Sequence, residues 1–290
     1  MIFDTLISST QLASALATAE GKKPVILDCG FDLSDAEAGR QAYMGAHLPG
    51  ARYVHLESDL SAGKTGRNGR HPLPSREDFA ARMAALGVGD EDQVVVYDDA
   101  AGMYAARLWW MLRWAGHRAC AVLDGGLSAW KAAGYTTESG PVPPGAAGRF
   151  SLREPLVTTL AYADVQANIG SGARVVVDAR APDRFRGENE TLDPVGGHIP
   201  GARNRFFRAN LEMDGRFKPA SRLRQEFEVV AAGRPASALV SQCGSGVTAC
   251  HNLLAMEIAG LTGAALYPGS WSEWSAQPGA PVATGPANPT

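Results

Sequence analysis

The feature that most constrains this 290-residue chain is that it repeats itself. VILDCG at 25–30 is followed by GAHLPGAR ending at Arg52, and VVVDAR at 175–180 is followed by GGHIPGAR ending at Arg203. The correspondence continues from VVVYDDAAGMYAARLWWMLRWAG (94–116) to ALVSQCGSGVTACHNLLAMEIAG (238–260). It ends with LDGGLSAW (123–130) opposite LYPGSWSEW (266–274). A self-match in the same order and at similar spacing marks a duplicated folding unit, which a single large domain would not show. In this alignment Asp99 stands opposite Cys243.

Within each copy, short apolar runs (VILD, VVVY, VVVD, ALVS) alternate with longer stretches of helical period such as AARLWWMLRWAG. Runs without polar alternation suit strands buried on both faces, so the expected class is α/β, each copy a parallel sheet flanked by helices. The Pro-, Gly- and Ala-rich PVPPGAAG at 141–148 reads as the joint. The expected division is a first domain over 1–140, a linker over 141–150 and a second domain over 151–290. With 45% hydrophobic residues, each copy has enough apolar side chain for its own core.

A formal net charge of −3 provides no broad positive field for nucleic acid or an anionic membrane surface. No apolar run approaches bilayer length, and the first residues lack a basic segment followed by an apolar one, so the expected location is the cytoplasm. The four cysteines, Cys29, Cys120, Cys243 and Cys250, form no C-x-x-C pair and are too sparse for a disulfide framework. Cys29 and Cys120 fall in or beside apolar strand runs, and Cys250 falls on a helix; inert core positions explain all three.

Cys243 differs. It ends a strand run and is followed by Gly244, Ser245, Gly246, Val247 and Thr248, where a helix begins. Glycines at 244 and 246 can take positive φ, so the chain can curl with successive N–H groups turned inward, and the helix start adds unpaired N–H groups and a positive dipole end. Such a cradle favours a thiolate, or a persulfide anion on the same sulfur. In open parallel sheets the ligand site lies beyond the carboxyl ends of the strands, where Cys243 falls.

With the cysteine loop, Gly197-His198-Ile199-Pro200-Gly201-Ala202, its counterpart at His47, and Asp124-Gly125-Gly126-Leu127, nearly the whole chain resembles the two-domain rhodanese-type sulfurtransferases. The resemblance implies two rhodanese-like domains with the active site between them. It makes Cys243, in the second, the nucleophile, and leaves the first without a catalytic cysteine. It implies transfer of a sulfane sulfur through a persulfide on Cys243 to cyanide, a small thiol or a thioredoxin-like protein, with no metal and no organic cofactor. The loop lacks the cations of the thiosulfate-type sequence C-R-K-G-V-T and is similar to that of 3-mercaptopyruvate sulfurtransferases. There the serine at Ser245 is expected to work with a histidine, here His71 in R-H-P-L-P, and an acid, Glu57 or Asp59.

Proton transfer is needed because mercaptopyruvate leaves an enolate, whereas thiosulfate leaves sulfite. The same resemblance assigns the donor's anionic group to Arg184, with Gly244, Gly246, Val247 and Thr248 as the loop around it, and Arg186 is the candidate to serve in place of the family's further arginine; a guanidinium fork matches a carboxylate or sulfonate. Asp193 falls where mercaptopyruvate-type members carry another arginine, which keeps thiosulfate open as the alternative donor. His47 and His198 occur in both copies, and Asp178-x-Arg180 closes a strand end; structural roles suffice for all of them. A cysteine phosphatase needs an arginine six residues after the cysteine, where this chain has Ala249. A non-catalytic binding module would not need an intact cysteine loop.

Overall fold

Ten short strands and ten helices follow the alternation of the sequence in a computed structural model describing residues 2–18, 22–143 and 145–286. Pro144, inside the expected linker, lies outside the described residues. The first half runs β1 (Leu6–Ile7), α1 (Ser9–Ala17), β2 (Val25–Asp28), α2 (Ala38–Gly45), β3 (Arg52–Tyr53), α3 (Arg76–Ala85), β4 (Val94–Tyr97), α4 (Ala105–Trp114), β5 (Cys120–Leu123) and α5 (Gly126–Ala132). The second repeats the order: β6 (Thr158–Thr159), α6 (Tyr162–Ser171), β7 (Val175–Asp178), α7 (Pro182–Arg186), β8 (Arg203–Asn204), α8 (Ala220–Ala231), β9 (Leu239–Gln242), α9 (Thr248–Ile258), β10 (Ala265–Leu266) and α10 (Ser270–Trp274).

Each half forms one five-stranded sheet, ordered β1-β5-β4-β2-β3 and β6-β10-β9-β7-β8, and every strand pair is parallel. The fold is α/β, as the uninterrupted apolar runs require: all four residues of β4, β7 and β9 are buried. One core gathers Leu12, Ile26, Val95, Tyr97, Leu123 and Trp130 between sheet and helices. Its counterpart gathers Val176, Phe185, Ile199, Val240, Trp271 and Trp274.

The two compact units are not continuous in sequence. The first comprises 1–61, 74–156 and 213–216; the second comprises 62–73, 157–212 and 217–290. Residues 62–73 therefore belong with the later half. Arg70 N–H donates to Ser272 Oγ (3.0 Å), Gln277 Nε2 donates to the Arg67 carbonyl (2.9 Å), and a Cβ on Gly69 would lie 2.8 Å from the Gly269 carbonyl oxygen. Gly69 has φ +85°, so glycine is required there both for conformation and for this close approach.

The repeated histidines bind turns together. His47 Nδ1 meets the Tyr43 carbonyl (2.7 Å) and stacks on the Tyr43 ring. His198 Nδ1 meets the Phe185 carbonyl (2.8 Å) and stacks on Phe185. Arg180 ties the β7 end to its loops through Asp178, the Gly197 carbonyl and Glu190, with its guanidinium over the Trp271 ring.

Candidate active site at Cys243

β9 delivers Cys243 from its carboxyl end, and α9 starts five residues on at Thr248, with Val247 at the N-cap. The Cys243 sulfur accepts N–H bonds from Ser245 (3.4 Å) and Gly246 (3.1 Å), the inward-turned amides expected of an anion cradle. Only one of the two glycines works as the sequence suggests. Gly246 takes φ +78°, and a Cβ there would lie 2.3 Å from the Pro268 carbonyl oxygen. Gly244 keeps φ outside the positive region, and its lack of a side chain serves space instead: a Cβ would lie 2.6 Å from Arg70 Nη2.

The loop is pinned from α10. The Cys243 N–H donates to Ser270 Oγ (3.1 Å), which itself donates to the Tyr267 carbonyl (2.9 Å). The Cys243 and Gly244 carbonyls accept from the N–H groups of Trp271 and Ser272 (both 2.9 Å). Ser270 is fully buried and holds φ +55°, a left-handed conformation that a side chain resists. Nothing in the sequence singled out Ser270.

His71 and Ser245 come together in the second unit: both are buried, and His71 Nδ1 lies 2.8 Å from Ser245 Oγ. This pairing depends on residues 62–73 belonging to the later half, which the self-alignment did not reveal. Glu57 and Asp59 belong to the first unit. There the Asp59 carboxylate accepts from the His55 N–H (2.8 Å) and pairs with Arg82 (2.9 Å), while the Glu57 N–H donates to His55 Nδ1 (3.1 Å).

Arg184 lies on α7 with its Nε and Nη2 on Glu190 (3.1 and 2.8 Å), and its Nη2 would lie 3.7 Å from a Cβ on Gly244. Arg186 faces outward and spends its side-chain hydrogen bonds on Glu188 (2.7 and 2.6 Å). Asp193 pairs with Arg70 and lies 3.6 Å from Arg184 Nη2. Arg70, the residue beside His71, is thus a cation next to a loop whose own sequence carries none. The sequence signal was its place as the first residue of the R-H-P-L-P segment, in which only His71 is read as functional.

The first unit carries the same cradle around a different anion. β4 ends at Tyr97, paired with Asp28, as β9 ends at Gln242, paired with Asp178, so the residue in the place of Cys243 is Asp98, not Asp99. The alignment slipped because the loop before α4 (98–104) is longer than the loop before α9 (243–247). Asp98 accepts four backbone N–H bonds, from Ala100, Gly102 and Tyr104 at 2.8 Å and Ala105 at 2.9 Å. Its carbonyl accepts from Leu127 as that of Cys243 does from Trp271. Burial pushes its carboxyl up despite the four donors. Asp99 instead bonds Ser128 at the surface (2.6 Å).

Cys29, Cys120 and Cys250 are buried. Burial raises the thiols of Cys29 and Cys120, the latter to about 12, and the Cys250 thiol donates to the Gly246 carbonyl (3.3 Å). No described helix is long and apolar enough to cross a membrane.

Known proteins share this fold. The rhodanese-like domain family matches twice, over 9–133 and 161–277. A probable 3-mercaptopyruvate sulfurtransferase of Pseudomonas aeruginosa is 46% identical over 97% of this chain and 98% of its own. The thiosulfate sulfurtransferase of Bos taurus is 34% identical over 94% and 93%. The solved 3-mercaptopyruvate sulfurtransferase from Leishmania major superposes with a TM-score of 0.81 at 31% identity, covering 94% of this chain and 74% of that one. The chain belongs to the rhodanese-like domain family and carries two copies of that domain.

Proposed function

We propose that the chain is a sulfurtransferase that takes sulfur from 3-mercaptopyruvate onto Cys243 and passes it to a thiol or cyanide. The observation that supports this most is the cradle: one buried cysteine sulfur held by the Ser245 and Gly246 amides, in a loop whose serine lies 2.8 Å from a histidine.

The Cys243 thiolate attacks the donor sulfur, an S–S bond forms, and the C–S electron pair departs on carbon as the enolate of pyruvate. Ser245, hydrogen-bonded to His71, supplies the proton that turns the enolate into pyruvate. Glu57 or Asp59 would be the acid behind His71. Arg184 holds the donor carboxylate through the edge it does not share with Glu190, and the amides that held the thiolate hold the persulfide anion. Cyanide or a thiolate then attacks the outer sulfur and releases the Cys243 thiolate. All of these steps use the chain's own side chains and amides. Four free cysteines fit a reducing compartment, and we place the reaction in the cytoplasm.

Thiosulfate is the second reading, favoured by one observation: Arg70 brings a further guanidinium to Gly244, suited to a dianion. The test is thiocyanate formation from cyanide with each donor. Wild-type protein is expected to turn over both, with the higher kcat/KM for mercaptopyruvate, and Cys243→Ser is expected to abolish both while remaining folded. Wild-type turnover in Cys243→Ser would refute the assignment.

A further inference from the structure

Two guanidinium groups meet at Gly244, the residue after the reactive cysteine, and a carboxylate stands between them. A Cβ on Gly244 would lie 2.6 Å from Arg70 Nη2 and 3.9 Å from Arg184 Nη1. Each arginine has committed one edge and kept another. Arg184 gives Nε and Nη2 to Glu190, and Arg70 gives Nη1 to Asp193 and, more weakly, to the Leu192 carbonyl (3.5 Å). Among the described residues, Arg70 Nη2 and Arg184 Nη1 donate no hydrogen bond. Their side chains remain 26% and 21% exposed, open to an incoming anion, while Asp193 and Glu190 are both 4% exposed. Asp193 Oδ2 accepts no hydrogen bond and lies 3.6 Å from Arg184 Nη2.

The local charges balance: Arg70, Arg180 and Arg184 against Asp178, Glu190 and Asp193, connected through shared ion pairs. A bound anion therefore adds its whole charge to arginines already neutralised by their carboxylates, and the Cys243 thiolate that acts on Arg180 is a further negative charge outside this balance. A monoanionic 2-oxo carboxylate adds one unit and thiosulfate adds two. Asp193, close to both cations, repels the dianion about twice as strongly as the monoanion.

We infer that Arg70 is a second donor-binding residue acting beside Arg184, and that Asp193 is the resident counter-ion that selects a singly charged donor over a doubly charged one. This rests on the sulfurtransferase reading, deepens it to donor choice, and gives Asp193 a role of its own in place of an additional arginine.

The test is kcat/KM for mercaptopyruvate and thiosulfate in wild type, Arg70→Met, Arg70→Lys and Asp193→Asn, together with the rate at which cyanide discharges preformed persulfide. Arg70→Met should raise KM for both donors about tenfold while leaving persulfide discharge within about twofold, since discharge needs no donor clamp. Arg70→Lys, which keeps the charge without the fork, should fall between. Asp193→Asn should raise kcat/KM for thiosulfate relative to mercaptopyruvate on the order of tenfold, a gain that misfolding cannot mimic. Wild-type KM values in Arg70→Met, or an unchanged donor ratio in Asp193→Asn, would overturn the inference while leaving the sulfurtransferase reading intact. Absence of thiocyanate from the wild type with either donor would overturn both.

Discussion

Ser270 offers a test of how the cysteine loop is held, because two ordinary substitutions there should rank in an unusual order. Its hydroxyl accepts from the Cys243 N–H and donates to the Tyr267 carbonyl, and its backbone sits at φ +55°. Ser270→Ala loses both bonds and leaves a buried N–H without an acceptor, at a cost of about 2–3 kcal/mol. It keeps the left-handed backbone, which burdens any residue with a Cβ by about 1–2 kcal/mol. Ser270→Gly loses the same bonds but relieves that strain, partly offset by the greater freedom of glycine in the unfolded chain, for a net cost of about 1–2 kcal/mol. Glycine should therefore be more stable than alanine by about 1 kcal/mol, at the first residue of a helix, where alanine normally wins. The equivalent place in the first unit is already glycine: Gly126, at φ +59°. Equilibrium urea titration, with hydrogen exchange at the α10 amides reporting on the second unit, measures the order. Both variants should also load sulfur more slowly, since the amide of Cys243 loses its anchor. An alanine variant as stable as the glycine variant, or better, would refute the strain argument.

Other expectations concern neighbouring features. Gly246→Ala places a Cβ 2.3 Å from the Pro268 carbonyl and forces φ +78° on alanine, so it should destabilise by about 2–4 kcal/mol and displace the amide that holds the sulfur. Thermal unfolding and sulfur loading should fall together. Glu226 titrates low: burial alone would push it up, but hydrogen bonds from Lys218, Arg205 and Arg222 outweigh that and hold it at about 2 against an ordinary 4.5. A depressed carboxyl stabilises the fold above its unfolded pKa and loses that contribution as pH falls from 4.5 towards 2. Glu226→Gln should thus cost about 2 kcal/mol at neutral pH, and a pH series of urea titrations should flatten in that acidic window. Arg180→Met leaves Asp178 buried without its partner and should destabilise the second unit by about 3–5 kcal/mol in the same titration.

How much of this was legible in the sequence depended on the distance over which each contact forms. The duplicated parallel sheets were readable because a strand buried on both faces shows it locally, as VVVD and VVVY do. The Cys243 cradle was readable because its amides come from the next three residues. What escaped was set by contacts between distant segments. Arg70 and Gly244 are neighbours only because residues 62–73 fold with the later half, so a loop without cations in sequence has one in space. Gly244 showed the limit of reading glycine as a turn signal, since its role is room for a guanidinium. Asp98 was displaced by one residue because loop length, invisible to an ungapped alignment, differs between the copies. Ser270 gave no signal at all, because the strain at φ +55° follows from tertiary structure.

The most direct measurement of the central claim is peptide-resolved mass spectrometry after brief incubation with limiting 3-mercaptopyruvate, before and after cyanide. One added sulfur on the peptide bearing Cys243, released as an equal amount of thiocyanate, is the predicted result. Added sulfur on Cys29, on Cys120, or on Cys250, which fragment ions tell apart from Cys243 on the same peptide, or thiocyanate formed with Cys243 unmodified throughout, would contradict it.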